Sequence, residues 1–294
     1  MFEGIYTPVL TPFAEDGTID YKKMKHNLDK WAETALSGIV VLGSNGESVY
    51  LTEVEKVELV RFCIENFPDT KKIIVGTSYE STGETIRFSN IVGNMGADAV
   101  LVLPPHYYKG NMTEAALEAY FSEVAEECPV PVMLYNMPPN TGLNLSSGLV
   151  ARLSHHPNIL GIKDTAGDIV QLAEIIRDAK QPFSIFAGNA GFLLPALALG
   201  ANGATVALGN ILPEDCCRLM TLVSEGKWEE ARQLQLNLLK VNHMITRGLG
   251  VSALKVAADY MGYEGGLPRK PLMALDEQNR IKVESALQEY LATQ

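Results

Sequence analysis

Asp98-Ala99-Val100-Leu101-Val102-Leu103, a helical segment over Thr113–Glu127, then Pro131-Val132-Met133-Leu134-Tyr135: this passage decides the architecture. Both short runs are nearly all apolar instead of alternating, as strands covered on both faces should be, and such strands belong to parallel sheets. The segment between them repeats its apolar residues at helical spacing, so the passage reads as strand, crossover helix and parallel strand. The same kind of run recurs outward in both directions, roughly every 20 to 35 residues, the period of a βα unit. Upstream are Ile5–Leu10, Gly38–Leu42 and Lys72–Gly76; downstream are Ile159–Lys163, Phe183–Ala187 and Ala204–Leu208.

Helical segments fall between the runs. Tyr21–Ala35 places Met24, Leu28, Trp31 and Ala35 on one stripe, and Glu53–Asn66 repeats the pattern behind Thr52, an N-cap with Glu55 at the third helical position. Ser81–Met95 is a further helix, closed by Gly96. Eight strands, each followed by a helix, predict a closed (β/α)8 barrel of the TIM type. A doubly wound sheet would usually have fewer strands and a Gly-x-Gly-x-x-Gly turn after the first, which is absent. Beyond the eighth strand the pattern is wholly helical: Pro213–Glu225, Trp228–Ile245, Val251–Met261 and Glu277–Tyr290. The reading is a barrel over residues 1–224 with a C-terminal helical extension over 225–294 of the same domain, placed to cover a barrel flank or a subunit contact.

Composition narrows the function. A chain of 294 residues, 47% hydrophobic and 20% charged, is neither a disordered tail nor a disulfide-stapled mini-protein. Twenty-four Lys+Arg against 35 Asp+Glu give a net charge of −11, which argues against nucleic acid and anionic membrane surfaces as partners. An anionic substrate must then be captured by local donors. The four cysteines form no CxxC pair, and the N-terminus has neither a basic region nor a continuous apolar run, so a reduced, cytoplasmic protein is expected. The uncharged passage between Lys180 and Glu214 is long enough to raise a membrane span. Pro182, Asn189, Pro195, Asn202 and Asn210 interrupt it, and it reads as strand, buried helix and strand.

In such a barrel the chemistry lies at the C-terminal ends of the strands. After the second strand, Gly43-Ser44-Asn45-Gly46-Glu47 is either an ordinary turn or a loop that aims N–H groups at an anion. After the fourth come His106, Tyr107 and Tyr108, packing groups or ligands. The fifth ends in Tyr135, either a core residue or a phenol able to relay protons, followed by Met137-Pro138-Pro139-Asn140-Thr141-Gly142. The sixth, Ile159-Leu160-Gly161-Ile162-Lys163-Asp164, closes an apolar run on a lysine. An exposed lysine is almost fully protonated at neutral pH and a poor nucleophile, whereas burial disfavours the ammonium and frees an amine able to attack a carbonyl carbon. The alternative is a lysine that snorkels outward or pairs with Asp164. Small-residue loops follow the seventh and eighth strands, at Gly188-Asn189 and Gly209-Asn210, where many barrels bind phosphate, but no Lys or Arg is expected near either loop to neutralise a dianion. His155-His156-Pro157 reads as a solvated turn at the opposite end, and no metal-ligand spacing, P-loop or GxSxG is present.

Taken together and in this order, these segments resemble the family of dihydrodipicolinate synthase and N-acetylneuraminate lyase, pyruvate-dependent class I aldolases. GSNGE, YNMPPNTG and GIKD carry the resemblance jointly, and it runs from the TPxxTPF start that ends at Phe13 to GLPRKPL over Gly266–Leu272. It implies a barrel assembled as a homotetramer of tight dimers, no cofactor, and a Schiff base between Lys163 and a small 2-oxo acid. Tyr135, the proton shuttle, and Ser44 would move the protons of the reaction, and Ser44 with Asn45 would hold the substrate carboxylate. Tyr108, or else Tyr107, would be lent across the dimer, and Thr165 and Gly188 would line the pocket. Dihydrodipicolinate synthases carry an arginine where this chain has Asn140, and asparagine lacks that charged fork. GSNGE with PNTG is instead similar to the 4-hydroxy-2-oxoglutarate aldolase branch. A sugar-acid lyase, a synthase with a displaced arginine, and a regulatory barrel that binds a 2-oxo acid without turnover are the alternatives.

Overall fold

The computed structural model describes residues 1–293. Eight parallel strands close into a barrel in chain order: β1 Gly4–Pro8, β2 Gly38–Val41, β3 Lys72–Gly76, β4 Ala99–Val102, β5 Val132–Asn136, β6 Ile159–Asp164, β7 Ser184–Ala187 and β8 Gly203–Thr205. Around them lie α1 Tyr21–Ala32, α2 Glu53–Asn66, α3 Thr82–Asn94, α4 Glu114–Glu127, the single turn α5 Pro138–Thr141, α6 Ser147–Leu153, α7 Ile169–Asp178, α8 Leu193–Leu199 and α9 Pro213–Ser224. Three more helices follow, α10 Trp228–His243, α11 Gly250–Tyr260 and α12 Glu277–Leu291, with a π-helical turn Met244–Gly248 between the first two. The uncharged passage after Lys180 is β7, α8 and β8, and no described helix is long and apolar enough to cross a membrane.

The strands read as unbroken apolar runs because successive residues enter two different cores. Tyr6, Val40, Ile74, Ala99, Leu101, Met133, Tyr135 and Phe186 pack together inside the barrel. Their strand neighbours, among them Ile39, Val41, Ile73, Val75, Val100, Leu134 and Ile185, pack outward against the helices. Thr52 and Glu55 form the capping box expected at the start of α2. Gly96 follows α3 with φ +109°, the left-handed exit for which glycine is suited.

The eighth strand is shorter than its apolar run. After Val206 donates to Tyr6 O the chain turns into a 3₁₀ segment, Ala207–Asn210, and this brings a fully buried asparagine to the β1–β8 seam. Asn210 Nδ2 donates to Pro8 O and Ala207 O at 3.0 Å, and its Oδ1 accepts from Leu10 N at 3.1 Å. The side chain thus takes over where the backbone ladder stops. Replacing it leaves buried backbone groups without partners, so Asn210→Ala is expected to lower stability by about 2–4 kcal/mol, read as a lower urea midpoint at unchanged m value.

Candidate active site

β5 and β6 pair with Tyr135 opposite Lys163 and Asn136 opposite Asp164. Because alternate residues face opposite sides, one cross-strand pair points into the barrel and the next points to the helices. Lys163 is 3% exposed and its Nζ lies 4.2 Å from the centre of the Tyr135 ring. Asp164 does not pair with it. The Asp164 carboxylate accepts from Asn136 Nδ2 at 2.9 Å, Ala166 N at 2.8 Å and Gln171 Nε2 at 3.3 Å, on the helix side. Burial pushes the Asp164 carboxyl upward, opposed by these hydrogen bonds. Asn136 in turn accepts from Leu145 N at 3.0 Å, so this outward pair fixes the loops after β5 and β6.

At the mouth, Lys163 and Tyr135 line a cavity of about 260 Å³ together with Ser44, Asn45, Thr165, Gly188 and Asn140. All the expected site residues except Tyr108 therefore meet in one place. The Thr165 hydroxyl is buried and has no hydrogen-bond partner among the described residues. Gly188 is required beside it, since a Cβ there would lie 2.0 Å from Thr165 Oγ1. Ser44, Tyr135 and Asn140 also border a larger neighbouring cavity of about 400 Å³, into which His106 faces. His106 Nδ1 lies 3.2 Å from Glu80 Oε1. Tyr107 and Tyr108 line neither cavity of the single chain; they stand 77% and 72% exposed, edge to face at 5.1 Å.

One sequence reading needs correction. The loops after β7 and β8 do have a cation nearby: Arg247, from the π-helical turn, lines the smaller cavity with Gly188, Asn189 and Ala207. Distance along the chain concealed it.

The GSNGE loop is held from outside the barrel. Leu42, just before it, and Glu47, its last residue, have φ of 60° and 54°, left-handed conformations that cost a non-glycine residue about 1–3 kcal/mol. Glu47 is buried and its Oε1 lies 2.8 Å from Lys255 Nζ of α11, while Oε2 accepts from Arg269 N at 2.8 Å. Lys255 Nζ also donates to Thr11 O and Leu267 O, both at 2.6 Å. The Arg269 guanidinium grips Glu55 at 2.6 and 2.9 Å. So the TPxxTPF start, the GSNGE loop and the GLPRKPL segment meet at one buried ion cluster. Sequence reasoning missed it, although a lysine inside the otherwise apolar run Ala253–Ala258 was a signal.

With the geometry in place, the chain can be set beside known proteins. The profile of the dihydrodipicolinate synthetase family matches residues 1–290. The chain belongs to that family. Within the dihydrodipicolinate synthetase family, it is 36% identical to a probable mitochondrial 4-hydroxy-2-oxoglutarate aldolase of Emericella nidulans, over 97% of this chain and 94% of the relative. It is 34% identical to a 4-hydroxy-tetrahydrodipicolinate synthase of Methanosphaerula palustris, over 99% and 100%. The crystal structure of YagE, an Escherichia coli K12 prophage protein of the same family in complex with pyruvate, superimposes with a TM-score of 0.93 at 31% identity, over 99% of both chains. Membership makes this dihydrodipicolinate synthetase family chain an enzyme, a lyase of the aldolase class acting on a small molecule.

Removing one partner of the buried pair strands the other. Lys255→Met should cost about 3–5 kcal/mol in urea unfolding, and adding Glu47→Gln should return most of that loss. Burial holds Lys255 down at about 8 from its ordinary 10.5, against the pull of Glu47. Between those values the unfolded chain binds more protons, so stability from this group should rise with pH across that interval, a slope that Lys255→Met abolishes.

Proposed function

We propose that this enzyme cleaves a 2-oxo acid through a Schiff base on Lys163 and releases pyruvate, with 4-hydroxy-2-oxoglutarate as the substrate. The observation that carries the reading is the buried Lys163 amine, 4.2 Å over the Tyr135 ring, at the floor of a cavity of matching small size. The amine attacks the C2 ketone to form a carbinolamine, and loss of water gives an iminium. Tyr135, the neighbouring hydroxyl, hands protons to and from the oxygen that leaves. Ser44 and Asn45 hold the carboxylate beside C2. Deprotonation of the 4-hydroxyl then breaks the C3–C4 bond. Glyoxylate departs, the bonding pair passes to the iminium nitrogen as an enamine forms, and protonation at C3 followed by hydrolysis frees pyruvate and the amine. No resident cofactor enters this scheme.

Support for the substrate comes from Asn140 at the mouth and from the aldolase named in Emericella nidulans. The second reading, condensation of pyruvate with aspartate semialdehyde, is favoured by the synthase named in Methanosphaerula palustris. The exposed Tyr107–Tyr108 pair, with Val49 82% exposed on the wall of the larger cavity, supports a dimer in which Tyr108 of one subunit completes the neighbour's site, and a tetramer built of two such dimers. Cytoplasmic residence belongs to the same proposal.

Borohydride reduction with pyruvate should leave a covalent adduct on Lys163, located by mass spectrometry, and none on Lys163→Ala; an unmodified wild type overturns the Schiff base. Tyr135→Phe should slow pyruvate release about 10²–10⁴-fold. Cyclised product from aspartate semialdehyde, without pyruvate release from 4-hydroxy-2-oxoglutarate, would establish the synthase instead.

A further inference from the structure

The smaller cavity has charged side chains of one sign only. Among the described residues Lys163 and Arg247 line it and no carboxylate does, in a chain whose net charge is −11. The two cations also come from different layers. Lys163 rises from the barrel floor on β6, whereas Arg247 enters from the side on the turn between α10 and α11. Arg247 pairs with no acidic side chain among the described residues. Its Nη2 lies against the loop after β6, 3.8 Å from where a Cβ on Gly167 would stand.

The turn that carries Arg247 is built, not loose. Its five residues, Met244–Gly248, take π-helical geometry, which rotates a side chain away from the face an α-helix would give it. Thr246 Oγ1 donates to Asn242 O at 2.6 Å, and Asn242 Nδ2 donates to Asn189 Oδ1 at 2.9 Å, tying the turn to the loop after β7. On its other side α11 is pinned by Lys255 to Glu47. A guanidinium held this way over a small cavity offers a planar fork for a carboxylate or other oxyanion.

We infer that Arg247 binds the second carboxylate of the substrate, and so favours, as the acid to be cleaved, 2-oxo acids that carry a second anionic group at the far end of a five-carbon chain. This rests on the reading of the cavity as the Schiff-base site, and it supplies from the C-terminal helices the charged fork that Asn140 lacks. The ketone-side carboxylate stays with Ser44 and Asn45, and the distal one reaches the wall opposite the barrel floor.

Binding selectivity tests the assignment apart from turnover. Calorimetry compares 2-oxoglutarate with 2-oxopentanoate, which has the same chain length and one carboxylate fewer, on wild type, Arg247→Met, Arg247→Lys and Lys163→Ala. Wild type should prefer the diacid about tenfold or more. Arg247→Met should bring the ratio to about one through lost diacid affinity, with Arg247→Lys between. The preference should survive in Lys163→Ala, although both ligands bind more weakly there. An unchanged ratio in Arg247→Met, or equal binding of the two acids by wild type, overturns the inference. A preserved ratio with no borohydride adduct on Lys163 would count against the Schiff base and leave Arg247 as the carboxylate site.

Discussion

A closed parallel barrel allows each strand only two directions for its side chains, and the floor of the candidate site follows from that alternation. In β5 and β6 the register places Tyr135 beside Lys163 and Asn136 beside Asp164. Once one pair faces the interior, the other must face the helices. The lysine is thereby separated from the nearest carboxylate in the sequence by the thickness of the sheet. A one-residue slip would exchange the pairs, setting two hydrogen-bonding residues into the mouth and the amine into the helix layer. The outward network from Asp164 and Asn136 to Ala166 and Leu145 opposes such a slip, so the outward pair keeps Tyr135 and Lys163 facing the interior.

The barrel supplies the floor of the site, but its rim comes from elsewhere. GSNGE is bracketed by left-handed Leu42 before it and left-handed Glu47 at its end, and the buried Glu47–Lys255 contact fixes that end of the strained loop. α11 and the turn before it reach the site at two points: Lys255 holds Glu47 at the end of the loop that carries Ser44 and Asn45, and the turn presents Arg247 to the cavity.

Much of this was legible in the sequence, for reasons that can be named. All eight strands declared themselves because burial on both faces demands unbroken Val, Ile and Leu, and Lys163 stood out as the polar end of such a run. β8 was overextended, since Ala207 and Leu208 are as apolar as a strand requires; what ends it is the seam contact of Asn210, invisible without knowing that β1 lies alongside. Arg247 carried no local signal, because it sits among ordinary helical residues and gains its meaning only from a fold that returns α10 to the barrel mouth. Lys255 was readable as a charge on an apolar face, while its partner more than two hundred positions earlier was not.

That last separation has a consequence for how the protein is made. Lys255 Nζ and Thr11 O are 244 residues apart in sequence and 2.6 Å apart in space. All eight strands leave the ribosome before α11 does, so a nascent chain can roll its cylinder shut while the rim still lacks an anchor. The rim can be anchored only after that, by contacts of a range that is slow to form.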